Sequence, residues 1–417
     1  MLEMLEAVNY ANISVMALAA VLILIAVRQA GKNCLAIWKI MLLGSLVVLF
    51  TGQISTANAV GAINLDVMIF LVAMFVIGES MQESGYLLIL FNRIFGRARN
   101  LDQLLLLILF AMGFLSALLM NDTMAIIGTP FMLYFARTRK LSPKLLLLTL
   151  AFAVTIGSAM SPIGNPQNLL IAVNANLSNP FLVFLQYLLL PTVANLLLAY
   201  LLLRLFYRGE FQNRSLQISQ EEISDPTLAR LSRISIILLF ALILAKIGAV
   251  ALGVGGEFRL TYIALLSALP ILLFSSKRYE VLRNIDWCTL IFFAAMFVLM
   301  DSVWRSGVFQ FLLAGSQADL ASIPTILVFS VLLSQLISNV PMVALCQPLL
   351  HNPSPQTLMA LAAGSTIAGN LFILGAASNV IIIQNAEKSG ETLTFREFAQ
   401  VGVPLTVLNV LVYWLFL

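Results

Sequence analysis

A chain of 417 residues that is 61% apolar and 10% charged is not built as a soluble protein, since soluble domains carry roughly 25% charged residues. Its formal net charge of +4 comes from short basic clusters between apolar runs, which is a pattern of membrane topology and not of a nucleic-acid surface. One histidine, His351, and three scattered cysteines, Cys34, Cys288 and Cys346, give no metal-ligand spacing and no disulfide framework.

The first residues, MLEMLEAVNYANIS, carry acids where a signal peptide carries bases. The expectation is therefore a retained first span and no cleavable signal. A membrane helix needs about 20 apolar residues. Read in order, full spans are expected over 13–27, 35–50, 63–82, 141–174, 180–206, 232–252, 258–275, 286–304, 355–386 and 398–416. Two further apolar regions, 101–137 and 322–350, differ. Each has two apolar arms joined by a polar tip, Asn121-Asp122-Thr123 in one and Ser338-Asn339-Val340-Pro341 in the other. They read as re-entrant hairpins, because irregular polar backbone at membrane depth is tolerated only when buried in protein or lining a wet cavity.

Ten spans place the basic clusters on one face: Arg28 to Lys39, Arg93 to Arg99, Arg137 to Lys144, Arg204 to Arg233, and Lys277 to Arg283. The loops at 51–62 and 174–179 have no Lys or Arg. The positive-inside rule then sets both termini outside the cytoplasm, in the plasma (inner) membrane. The polar stretch 208–231 becomes a cytoplasmic linker between a first half, 1–207, and a second half, 232–417.

The halves resemble one another. Ala73-Met74-Phe75-Val76 matches Ala295-Met296-Phe297-Val298, and Glu79 meets Asp301 in the same register. Asn121 meets Asn339 and Pro130 meets Pro348. Thr155-Ile156 meets Thr366-Ile367, Gly164 meets Gly375, and Asn168 meets Asn379. Five spans per half would invert the second copy. Inverted repeats are a hallmark of secondary transporters, whose sites lie where broken helices meet near the midplane. The expected fold is all-α and polytopic, with two inverted repeats of five helices and one hairpin each.

Two spans carry the breaks. In TIGSAMSPIGNPQNLLIAV the glycines and prolines interrupt the helix, freeing carbonyls for a cation and a helix N-terminus for an anion. Gly164, Asn165, Gln167 and Asn168 are its candidate binding groups. In STIAGNLFILGAASNVII the corresponding candidates are Asn370, Gly375, Ser378 and Asn379. The tips add Asn121, Asp122, Thr123, Ser338 and Asn339. Asp122 is the one carboxylate expected deep in the membrane. An acid there is by default a functional candidate, here for coupling to protons or sodium; Asn and Asp at a hairpin turn also serve as helix caps. Glu79 and Asp301, near the ends of their spans, read as interfacial structural acids.

SPIGNPQNLLI, GNLFILGAASNVIIIQNAEKSGETLTFREFAQVGVP, NDTMAIIGTPFML and ISNVPMVALCQPLL resemble, in order and spacing, the motifs of the ion transporter superfamily. The resemblance covers nearly the whole chain. It points to the branch of arsenite permeases, sodium/proton antiporters and P-protein relatives, and more distantly to citrate and divalent-anion/sodium symporters. It implies a scaffold and a mobile transport domain, elevator-type movement, and often a homodimer. Substrate and ions would sit between Asn121 to Thr123, Asn165 to Asn168, Ser338 with Asn339, and Ser378 with Asn379. The dicarboxylate symporters carry Ser-Asn-Thr at both tips and Thr-Pro-Pro-Asn at the break. Here the tips read Asn-Asp-Thr and Ser-Asn-Val, and the break Asn-Pro-Gln-Asn.

The expected function is secondary active transport of a small inorganic solute or anion, arsenite-like, coupled to a proton or a sodium ion. A sodium/proton antiporter on the same fold is the alternative. A membrane-embedded enzyme would need a Ser/His, Asp/Asp or zinc constellation that these residues do not supply, so no enzyme activity and no cofactor beyond a coupling ion are expected. A passive channel stays open as a remote alternative. No phosphate loop occurs, which leaves room only for a separate ATPase partner. The expected partners are the lipid bilayer and the solute, with no nucleic acid.

Overall fold

The structure is a computed structural model, and it describes residues 13–21, 23–24, 37–175, 177, 179–211, 225–251, 259–307, 322–350 and 353–417. The acidic N-terminal stretch, most of the 208–231 linker, His351 and Cys34 lie outside the described residues. Among the described residues all regular structure is helical.

The first half contains α1 (Ile37–Phe50), α2 (Leu65–Glu83), α3 (Leu101–Leu119), α4 (Asn121–Arg139), α5 (Pro143–Ser158), α6 (Pro166–Asn174) and α7 (Pro180–Phe206). The second contains α8 (Pro226–Ala251), α9 (Leu260–Phe274), α10 (Trp287–Arg305), α11 (Ile323–Ile337), α12 (Asn339–Cys346), α13 (Pro355–Ile367), α14 (Ala377–Lys388) and α15 (Phe395–Phe416). Short helices occupy Thr56–Ala62, Tyr86–Phe95 and Arg278–Asn284. Helix starts follow local chemistry. Pro143, Pro166, Pro180 and Pro355 open their helices, where a missing N–H costs nothing. Asn64, Asn100, Ser142, Asn165, Asn179, Asp286 and Ser354 cap the free N–H groups behind them. Thr394 and Glu397 form a reciprocal capping box at the start of α15.

Six described helices are long and apolar enough to cross a membrane: α2, α3, α7, α8 (through Ala249), α10 and α15. The sequence count of ten spans differs from this for a physical reason. The two broken spans divide into halves, α5 with α6 and α13 with α14, each too short alone, α1 and α9 are apolar helices of only 14 and 15 residues, and the 13–27 span is only partly described. Conversely, α3 meets the length criterion although it is one arm of the first hairpin.

Packing sorts the helices. α1 lies on α10, α2 on α8 and α9, and α8 on α9. Separately, α3 and α4 pack on α5, α11 on α13, and α7 on α5 and α15. The second arm of each hairpin crosses to the other half: α4 lies against α14, and α12 against α6. Contacts of α2 with α4 and α6, and of α10 with α12, join the two groups. Within the second group α3 and α5 touch backbone to backbone. A Cβ at Gly157 would fall 2.2 Å from the Gly113 Cα. Small residues permit this approach, which is how membrane helices gain packing energy.

Candidate functional site

Each hairpin turns on one residue. Met120 has φ 72° and ψ 144°, and Ser338 has φ 68° and ψ 159°. Both precede the asparagine that opens the second arm. The expected polar tips are therefore not loops. Asn121, Asp122 and Thr123 form the first turn of α4, and Asn339 and Val340 the first turn of α12. An N-terminal helical turn leaves N–H groups unpaired, and at the first tip a polar side chain satisfies one of them. The Asn121 side-chain oxygen accepts from the Asp122 N–H at 2.9 Å.

The first tip docks on the first break. Between α5 and α6 the chain leaves helical form, and the Asn121 N–H donates to the Gly164 carbonyl at 2.9 Å. Gly164 permits the turn to close, since a Cβ there would meet the Ser158 carbonyl oxygen at 2.2 Å. Asn165 caps α6 by accepting from the Asn168 N–H at 2.8 Å. Its Nδ2 donates to the Ser158 and Thr366 hydroxyls, both at 3.1 Å. Asn168 Nδ2 donates to the carbonyls of Ser158, Ala159 and Ser161 at 3.0–3.2 Å. The Thr366 hydroxyl donates in turn to Asn168 Oδ1 at 3.3 Å. Both amides are thus spent on the wall of the break, and they bind the two broken spans to each other.

What stays available differs from the full candidate set. The Asp122 carboxylate, the Thr123 hydroxyl and the Gln167 amide make no hydrogen bond among the described residues, and all three residues are buried. Asp122, 7% exposed, is the one buried carboxylate among the described residues. Gly78 of α2 lies against this turn, where a Cβ would meet Thr123 Cγ2 at 2.6 Å. Glu79 is therefore half-buried one residue from a tip contact, not at a free interface. Asp301 pairs with Arg305 at 2.6 Å.

The second break runs through two short 3-10 turns, Ala368–Asn370 and Ile373–Gly375, before α14. Asn379 Nδ2 donates to the Gly369 carbonyl at 2.6 Å. Asn370 Nδ2 reaches Asn409 of α15 at 3.0 Å. Gln335, one turn before the second tip, donates to the Ala368 carbonyl at 2.8 Å, and a Cβ at Gly375 would meet its Oε1 at 2.9 Å. Several buried oxygens here have no partner: Asn339 Oδ1, Ser378 Oγ, Asn379 Oδ1, Asn370 Oδ1 and Gln335 Oε1. Among the described residues no cluster of His, Cys, Asp and Glu could hold a transition metal.

Sequence reading missed Thr366, Gln335 and Asn409. Thr366 was visible only as a repeat marker beside Thr155, and a lone polar residue in an apolar helix carries no other signal.

Comparisons with known proteins agree with this architecture. The chain is 26% identical to a 46 kDa membrane protein of Mycobacterium leprae, covering 93% of each chain. It is 28% identical to an uncharacterized transporter of Mycobacterium tuberculosis, over 95% of this chain and 96% of that one. It is 26% identical to the human P protein, over 91% of this chain but 58% of that longer one. In fold it is similar to the Alcanivorax borkumensis YdaH transporter, with a TM-score of 0.50, 15% identity and 86% of each chain covered. The family described as CitMHS, citrate transporter, matches residues 20–357. An all-helical chain with membrane-length helices, matched by that family over more than half its length, is a membrane transporter of the CitMHS family.

Proposed function

We propose that the chain is an ion-coupled secondary transporter of a small inorganic solute or anion, working by alternating access. One observation carries the reading. The first turn of α4 is docked on the break between α5 and α6 through Asn121 and Gly164, and it holds at that junction the buried carboxylate of Asp122, which has no hydrogen-bond partner among the described residues. A carboxylate at such depth is costly unless it trades a proton or a cation for function. Thr123 and Gln167 supply polar contacts for the solute. The N-termini of α4 and α6 meet there and favour an anion. Asn165 and Asn168 shape the wall.

The helices grouped around α2 form the scaffold, and those grouped around α5 and α13 form the moving body, in two inverted repeats divided at 208–231. Both termini lie outside the cytoplasm. The family's description makes citrate one anion to test.

The second reading, a sodium/proton antiporter, gains from the internal use of the Asn165 and Asn168 amides, which leaves Asp122 as the dominant polar group. One assay separates the two. A pH gradient is set up in everted vesicles containing the protein. Sodium, lithium, arsenite, citrate and smaller carboxylates are then added in turn, with Asp122→Asn as control. Collapse on arsenite or an anion, lost in the variant, supports the solute carrier. Collapse on sodium or lithium alone moves the assignment to the antiporter. No response to any addition removes proton coupling through Asp122.

A further inference from the structure

We propose that Arg139, in the last turn of α4, binds the phosphate of an anionic phospholipid at the membrane surface. Arg139 is only 9% exposed, and an arginine keeps its charge inside a protein. Its Nη1 is buried and has no hydrogen-bond partner. None of the ion pairs among the described residues includes it. A buried charge without a partner is strongly destabilising. The negative end of the α4 dipole favours a cation in this turn, yet no carbonyl receives Nη1. What holds the group is a ring: the guanidinium carbon lies 4.3 Å from the Phe135 centroid. Contact with that ring fixes the guanidinium and leaves donors over for an anion. A planar fork of N–H donors matches phosphate oxygens in pairs.

The setting selects a lipid over a dissolved anion. The short helix Tyr86–Phe95 lies against this end of α4 through its aromatic face. Phe91 and Phe95 are fully buried, with ring centroids 5.0 Å apart for Phe91 and Phe131 and 6.3 Å apart for Phe95 and Phe135. Arg93 of the same helix is exposed, as are Arg97 and Arg99 just beyond it, and none of the three is ion-paired among the described residues. A short helix with buried aromatic rings on one face and exposed arginine on the other suits the plane of a membrane surface. Clustered basic residues at that level attract anionic headgroups. The exposed arginines thus concentrate the lipid, and the buried one binds its phosphate. The site is separate from Asp122, and its test does not depend on transport.

The full chain, purified in detergent, is unfolded thermally in mixed micelles containing phosphatidylglycerol or, separately, phosphatidylcholine. Wild type is expected to melt about 2 °C or more higher in phosphatidylglycerol at saturation. Arg139→Gln melts alike in both lipids, and in phosphatidylcholine it melts no lower than wild type, because it removes an uncompensated charge. Arg93→Gln, which alters only the exposed cluster, keeps most of the shift. Inorganic phosphate added to the phosphatidylcholine micelles gives no shift. Native mass spectrometry supplies a second readout: wild type retains phosphatidylglycerol, and Arg139→Lys, which keeps the charge and loses the fork, retains less. That comparison decides the matter if Arg139→Gln fails to fold. The proposal is overturned if wild type shows no lipid preference, if folded Arg139→Gln keeps the preference in full or melts lower than wild type in phosphatidylcholine, if Arg93→Gln alone abolishes the preference, if inorganic phosphate reproduces the shift, or if Arg139→Lys retains as much lipid as wild type.

Discussion

Asn168 and Asn379 donate the same hydrogen bond, each from its side-chain nitrogen to the carbonyl ten residues earlier, Ser158 in one case and Gly369 in the other. The two bonds close the two breaks in the same way. They do not carry equal loads. Asn168 serves two further carbonyls and accepts from Thr366, whereas Asn379 makes the one bond and keeps an unpaired oxygen.

Unequal loads predict unequal losses. Asn168→Ala removes three hydrogen bonds to buried carbonyls and the one accepted from the Thr366 hydroxyl, and is expected to cost about 3–4 kcal/mol. Asn379→Ala strands one carbonyl and should cost about 1–2 kcal/mol. Thermal unfolding of the two variants in the same detergent checks the order. Equal losses would mean that the first break is held by packing and not by its amide.

The contact between α3 and α5 gives a second test. A methyl group at Gly157 would lie 2.2 Å from Gly113 Cα and 2.3 Å from its carbonyl oxygen, so Gly157→Ala must push two helix backbones apart. The expected loss is about 2–3 kcal/mol, seen as a lower melting temperature or a lost monodisperse peak in size-exclusion chromatography. Gly61→Ala, with nothing within 4 Å of the new methyl, should leave both unchanged.

Much of this architecture was legible in the residues. Gly164 and Pro166 interrupt an apolar run, and together with Gly157 and Pro162 they cannot sit in one regular helix. The hairpins were legible from polar residues flanked by apolar arms. The turn itself was not, because neither Met120 nor Ser338 is a residue that announces a positive φ. Nor was the division of labour among the amides. Whether Asn165 faces a solute or a neighbour depends on Thr366, 201 residues away, and no local pattern encodes that distance.

A third prediction concerns pH. Asp225, at the start of α8, lies 3.4 Å from Lys277, which also approaches Glu83. The backbone N–H of Leu228 first, and then Lys277 and the Thr227 N–H, hold its carboxyl below the usual carboxylate range, against the opposing effect of burial. A lowered folded value means the charged form favours the fold. That contribution is complete above the ordinary aspartate value of about 3.9 and is lost as pH falls through the folded value. Asparagine caps a helix about as well as aspartate, so Asp225→Asn isolates the charge. The variant should be less stable at pH 7 by up to about 1 kcal/mol, and the gap should close on titration toward pH 3. A gap that stays constant with pH would place the effect in capping alone.

The second hairpin turn offers a test of strain. Ser338 holds φ 68° and ψ 159°, a region open to glycine and costing other residues about 1–3 kcal/mol. Its side chain has no capping hydrogen bond to α12, so little is lost by removing it. Ser338→Gly is expected to match or exceed wild-type stability by up to about 1 kcal/mol, the strain relief outweighing the added freedom of the unfolded chain. Ser338→Val adds a branched side chain to the same backbone and should lower stability by about 1–3 kcal/mol. Because Ser338 is itself a candidate binding residue, the readout is thermal unfolding and not transport. If valine were tolerated as well as glycine, the turn would have to relax out of the positive-φ region, and the second hairpin would not rest on that backbone geometry.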